Sequence, residues 1–168
     1  MSKFFIDSNS ELWYTRAEEL GVEVIGMPYT LDEDDEIAYD LGKNTNFEEF
    51  YDRIRKGACA KTQALNTQNY LDYFEPVLAA GEDIIYIHFS SKMSGTFKQM
   101  DQAIEILKEK YPERKILTAD TLSISLGEAL MVYDCAKMWK AGTSLEEIVE
   151  YVEKHRNNYA CNFIVEDL

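Results

Sequence analysis

Apolar and polar positions fall in blocks along this chain, and the period changes from block to block. Lys3–Ile6 is a short apolar run that reads as a strand, and Asp7-Ser8-Asn9-Ser10 after it reads as a turn rich in capping residues. The spacing then predicts a helix from about Ser10 to Leu20 with Gly21 at its C-terminal cap, and a second strand over Val22–Met27. Helices are predicted over Asn46–Lys56, ending at Gly57, and over Thr67–Ala80, ending at Gly81. Ile84–Phe89 is almost continuously apolar, as in a strand covered on both faces. Met93–Tyr111 reads as a helix closed by Pro112, Lys115–Ala119 as a strand, and Ser125–Ala141 as a helix with Gly142 beyond it. Ser144 and Glu147 have the spacing of a capping box that opens a further helix, and Cys161–Val165 reads as a last strand. Strands alternating with helices of ten or more residues predict an α/β fold, a mostly parallel sheet with helices on both faces.

Length and composition narrow the class. The 168 residues suit one domain with a core that needs no staples. Hydrophobic residues at 46% and charged residues at 29% argue against a disordered chain. A formal net charge of -14 disfavours nucleic acid or an anionic membrane surface as a partner. No apolar run approaches the roughly 18 residues of a spanning helix. The opening Met1–Asp7 reaches an acid too soon for a secretory signal, so a cytoplasmic location is expected. Cys59, Cys135 and Cys161 form no Cys-x-x-Cys pair and read as three reduced thiols, so no metal site is expected. The acidic stretch Asp32–Glu36 lacks the glycine and spaced ligands of a calcium loop and reads as solvated.

In parallel α/β sheets ligands collect at the carboxyl ends of strands. Three polar loops occupy such places here: Asp7–Ser10, Ser90–Thr96 and Asp120–Ser125. Lys61–Asn66 is a fourth polar loop, with no evident strand before it. Ser90-Ser91-Lys92-Met93-Ser94-Gly95-Thr96 sets four hydroxyls between an apolar strand and a long helix. That arrangement suits a small anion held by hydroxyls and helix N–H groups, and equally suits ordinary N-capping. Neither a Walker loop nor a dinucleotide fingerprint is present. Ser123-Ile124-Ser125-Leu126-Gly127 resembles a nucleophile elbow without its first glycine. Its serine would need a base, and His88 and His155 read respectively as a packed strand residue and a solvated helix residue. Asp7 reads as a turn-former or, less simply, as a ligand contact.

These loops, in this order, resemble the DegV family of fatty-acid-binding proteins. Phe5-Ile6-Asp7-Ser8-Asn9-Ser10-Glu11-Leu12 is similar to the family's Asp-Ser-x-x-Asp/Glu-Leu opening. Lys61-Thr62-Gln63-Ala64-Leu65-Asn66 is similar to its Thr-Ser-Gln loop, with Thr62 aligned and Gln63 and Ala64 departing. Ser90-Ser91-Lys92-Met93-Ser94-Gly95-Thr96-Phe97 matches its Ser-Ser-x-x-Ser-Gly-Thr-aromatic signature throughout. Asp120–Gly127 is similar to its Asp-Ser/Thr-x-x-x-Ser-x-Gly segment.

The resemblance implies that residues 1–168 are the family's N-terminal α/β domain and that the second α/β domain, with its Gly-Gly-Arg motif, is absent from this chain. It implies a long-chain fatty acid as ligand and no cofactor. Thr62 and Ser94 would bind the carboxylate, Ser91 and Gly95 would shape the site, and the acyl tail would enter an apolar tunnel. It also implies an ATP-dependent fatty acid kinase as a separate partner, which supplies catalysis while this chain binds and presents. A regulatory protein-interaction module, prompted by the acidic surface, is the alternative. A phosphoryl- or acyl-transfer enzyme built on Asp7, Asp120 and the hydroxyl loops is a further one.

Overall fold

Four strands, of which the two inner ones are the most deeply buried, build the central sheet. In the computed structural model, which describes residues 1–33, 36–162 and 164, these are β1 (Ser2–Asp7), β2 (Glu23–Ile25), β6 (Asp83–His88) and β7 (Ile116–Asp120). They lie in the order β2-β1-β6-β7, all parallel. The period of two divides the core. Phe4, Ile6, Ile85 and Ile87 face α1 (Tyr14–Leu20), α5 (Ser125–Lys140) and α6 (Leu145–His155). Phe5, Ile84 and Tyr86 face α3 (Thr67–Ala79) and α4 (Thr96–Lys110). Helices therefore cover both faces, as the alternation predicts.

A second, smaller sheet was not legible as strands. β3 (Pro28–Leu31) pairs antiparallel with β4 (Ile37–Ala38) and with β5 (Ala60–Thr62). The strand expected over Val22–Met27 thus ends at Ile25, and the chain passes into this sheet. The segment from Lys61 begins within a strand, β5, but one of three exposed residues with no burial pattern to betray it. α2 (Phe47–Arg55) lies beside the small sheet, with the Phe50 ring edge-on to Tyr29 at 5.6 Å.

Other boundaries shift for local reasons. The first helix begins at Tyr14, not Ser10, because Ser8–Ser10 form a 3₁₀ turn capped by Asp7 and closed by Glu11 at φ 53°. α4 begins at Thr96, not Met93, because Met93 N–H closes a turn on the Ser90 carbonyl at 3.0 Å. The capping box at Ser144 and Glu147 forms as expected. In the expected last strand, Cys161, Asn162 and Ile164 are not in a strand, and Phe163 and Val165 lie outside the described residues. In the acidic stretch Asp32 turns the chain, its Oδ1 accepting from Cys59 N–H at 2.8 Å, while Asp34 and Asp35 lie outside the described residues. All three cysteines are free thiols.

Candidate ligand-binding site

Parallel pairing brings the ends of β1, β6 and β7 to one edge, so the three hydroxyl-rich loops meet there. Asp7 is the knot between them. It is fully buried; Oδ1 accepts from Asn9 N–H at 3.0 Å, and Oδ2 accepts from Phe89 N–H at 3.0 Å and Tyr86 O–H at 3.1 Å. Burial raises its pKa to about 6, against the pull of these donors. Asp7 is thus a turn-former that also ties β1 to β6. Asp120 does the same one loop further on, accepting from Ser91 O–H at 2.6 Å and Leu122 N–H at 2.8 Å.

The four site residues named from the resemblance fall into different roles. Ser91 is exposed and its hydroxyl is bonded to Asp120, bracing the loop. Ser94 is half-buried; its oxygen accepts from Thr96 N–H at 3.2 Å, which leaves the hydroxyl proton able to reach an anion. Gly95 is exposed at an ordinary φ of -79°, and a Cβ there would meet nothing, so the protein leaves open space beside it. Thr62 ends β5 and lines a cleft of about 380 Å³.

Thr96, the last residue of the Ser-Gly-Thr run, joins the Thr62 and Ser94 loops. Its buried hydroxyl donates to the Leu65 carbonyl at 3.1 Å and accepts from Tyr70 O–H at 3.1 Å. The departing Gln63 and Ala64 are exposed, and Gln63 is held through its backbone, its N–H bonded to the Pro28 carbonyl at 2.9 Å. The substitutions therefore leave the hydrogen bonds that hold this loop intact.

The cleft itself is walled largely by rings. Tyr29, Tyr39, Phe47, Phe50 and Tyr51 line it with Met27, and Ser8, Asn9 and Ser125 add polar atoms. None of these rings was legible as a site residue, because they are scattered over 29–51 without a period. Ser94 does not line this cleft; its neighbour Met93 borders an adjoining hollow of about 480 Å³. Glu11, Ile124 and Ser125 line both spaces, and Ser125 Oγ donates to the Glu11 carboxylate. Ser125 has the left-handed backbone of an elbow, φ 55°, but its partner is this carboxylate. Neither histidine pairs with it. His88 is buried against the Phe97 ring at 4.3 Å, with Nδ1 donating to the Phe89 carbonyl and burial lowering its pKa. His155 is half-buried rather than solvated, stacked on Tyr151 at 4.3 Å. Among the described residues no cluster of His, Cys, Asp and Glu is placed to hold a metal ion, and no helix is long and apolar enough to cross a membrane.

The ring-lined cleft and the hydroxyl loops lie at the carboxyl ends of the strands, the edge at which parallel α/β folds hold ligands. Comparison with known proteins gives the family. Residues 2–168 match the family described as uncharacterised proteins of the DegV family, and the chain belongs to it. A DegV domain-containing protein of Clostridium perfringens is 33% identical over 170 residues, all of this chain and 58% of that protein. The chain thus spans just over half the length of that relative. Among solved structures, a stearic-acid-binding protein of Eubacterium ventriosum is similar with a TM-score of 0.79 at 21% identity, over 91% of this chain and 52% of that one. The Fatty Acid Kinase (Fak) B3 protein of Streptococcus pneumoniae, loaded with linoleic acid, is similar with a TM-score of 0.71 at 22% identity, over 94% of this chain and 55% of that one.

Proposed function

We propose that this chain is the N-terminal domain of a DegV-type protein that binds a long-chain fatty acid and presents its carboxylate to a separate ATP-dependent kinase in the cytoplasm. The observation that carries the reading is the Thr96 hydroxyl. By holding the Leu65 carbonyl it seats the loop bearing Thr62 against the loop bearing Ser94. Thr62 and Ser94 donate to the carboxylate from the two loops, with Ser91 and Gly95 shaping the space between them. The acyl tail lies along the rings of the adjoining cleft. The chain performs no chemistry of its own, and the kinase supplies nucleotide and catalysis.

Magnitudes divide the labour. A charged hydrogen bond contributes about 1.5–3 kcal/mol net. Each buried methylene contributes about 0.8 kcal/mol before ordering costs, so a tail of roughly sixteen carbons dominates affinity. Native mass spectrometry of the purified protein should therefore show a stoichiometric fatty acid. Ser94→Ala should weaken binding by only about ten- to a hundredfold, the worth of one charged hydrogen bond, while acyl phosphate formation by the kinase falls much further. A protein that retains no acyl ligand from a fatty acid mixture, or a Ser94→Ala variant that loses nearly all affinity, overturns the assignment.

A protein-interaction role is the second reading. It is favoured by the exposed Met93, Leu126 and Leu130, the last two one turn apart on α5. Partner capture that does not depend on lipid would support it.

A further inference from the structure

Glu128 sits in the first turn of α5, on the face that packs against the 3₁₀ turn Ser8–Ser10 and β1. It has no accessible surface, and neither carboxyl oxygen has a hydrogen-bond partner. Buried carboxylates are ordinarily paired, so a lone one calls for an explanation. The titratable groups around it are Asp7 at the end of β1, Glu11 after the 3₁₀ turn and Asp120 at the end of β7, with Tyr86 of β6 bonded to Asp7 from the sheet's other face. No cation is among them. An ionised Glu128 would be a buried charge among acids, whereas a neutral one is a compact polar group at a packed helix interface.

The position couples this carboxyl to the cleft. The 3₁₀ turn and its closing residue supply Ser8, Asn9 and Glu11 to the cleft wall, and α5 opens with Ile124 and Ser125 in the same wall. Separation of α5 from the turn would therefore reshape the site and strain the Ser125–Glu11 hydrogen bond.

We propose that Glu128 is a proton-operated positioning residue. Neutral, it lets α5 seat against the 3₁₀ turn and close the cleft wall; ionised, it drives the two apart and opens the cleft. Burial, with Asp7, Asp120 and Glu11 adding repulsion, holds the carboxyl neutral well above the ordinary glutamate range.

The regulatory arm rests on the fatty acid reading, so the test has two readouts. Without ligand, hydrogen–deuterium exchange corrected for intrinsic rate is followed at amides 8–12 and 124–128 from about pH 6 to 9.5. Protection should fall with pH in the wild type, by up to about tenfold per pH unit at the steepest, and stay flat in Glu128→Gln. Glu128→Met, also without a titrating group, should be flat too, and covers the case in which the glutamine variant fails to fold. With ligand, palmitate affinity over the same range, where the fatty acid itself stays ionised, should fall in the wild type and not in Glu128→Gln. Identical exchange profiles in wild type and folded variants overturn the proposal. Divergent exchange profiles with no palmitate binding at any pH leave the switch standing and overturn the fatty acid reading.

Discussion

Asp7 shows how one side chain can serve the fold and tax it at once. Its oxygens satisfy two backbone N–H groups and a tyrosine hydroxyl, yet burial outweighs these donors and lifts its pKa from an ordinary 3.8 to about 6. The sign follows from proton linkage. Between about pH 4 and 6 the folded state keeps a proton that the unfolded state has released, so this residue makes stability fall as pH rises through that window. The displacement corresponds to about 3 kcal/mol across it. Urea unfolding of the wild type should show that downward slope from pH 4 to 6, and Asp7→Asn should flatten it, leaving the share that belongs to Glu128. The variant should also be less stable than the wild type at low pH, because an amide can accept only through its single oxygen and one of the three donors goes unmet. A wild type whose stability climbs over this interval would refute the account, since a carboxylate rescued by its donors would behave that way.

Elements differ in how much of themselves the sequence discloses. β1, β6 and β7 could be read because burial on both faces makes each a dense apolar run. α6 could be read because Ser144 and Glu147 announce its start. β4 and β5 could not. They have two and three residues, all exposed, and are held by pairing to β3 rather than by any pattern of their own. The hydroxyl loops stood out by composition, but the Ser125–Glu11 partnership joins residues 114 apart, and no local signal encodes it. Thr96 lies between these cases: its motif is visible, while its duty, fastening α4 to the Leu65 loop and α3, emerges only in the folded chain. Thr96→Val keeps the shape and removes both bonds, leaving a buried carbonyl and a buried tyrosine hydroxyl unmet. The expected cost is about 1–3 kcal/mol, or roughly 2–9 °C in Tm for a chain of this size. Palmitate affinity should fall as well, although Thr96 need not touch the ligand, because the Thr62 loop loses its anchor. A valine variant with unchanged Tm would show that the bond pattern does not hold these elements together.

Across the whole molecule, acids outnumber bases so far that net charge becomes a stability term. Seventeen basic residues face thirty-one acidic ones. Ion pairs such as Lys3–Glu23 and Lys43–Glu18 are exposed and worth little each. The unpaired acids repel one another in the compact state more than in the expanded one. Raising ionic strength shortens the Debye length to about 8 Å at 0.15 M, so added salt should raise Tm at pH 7. Acidification from pH 7 toward 5 should raise it too, by two routes that salt can separate. Exposed acids contribute through the field of the whole surface, which salt screens. Asp7 and Glu128 contribute through burial, which salt does not reach, and both are raised, so their share of stability grows as pH falls. A calorimetric grid of pH against salt should therefore show a steep acid-side gain at low salt and a smaller, persistent one at about 0.5 M. Loss of the gain at high salt would assign all of it to the surface and leave the two buried carboxyls without the energetic weight argued for them. Its persistence in the wild type, with a reduction in Glu128→Gln, would place it in the interface between α5 and the turn that walls the cleft.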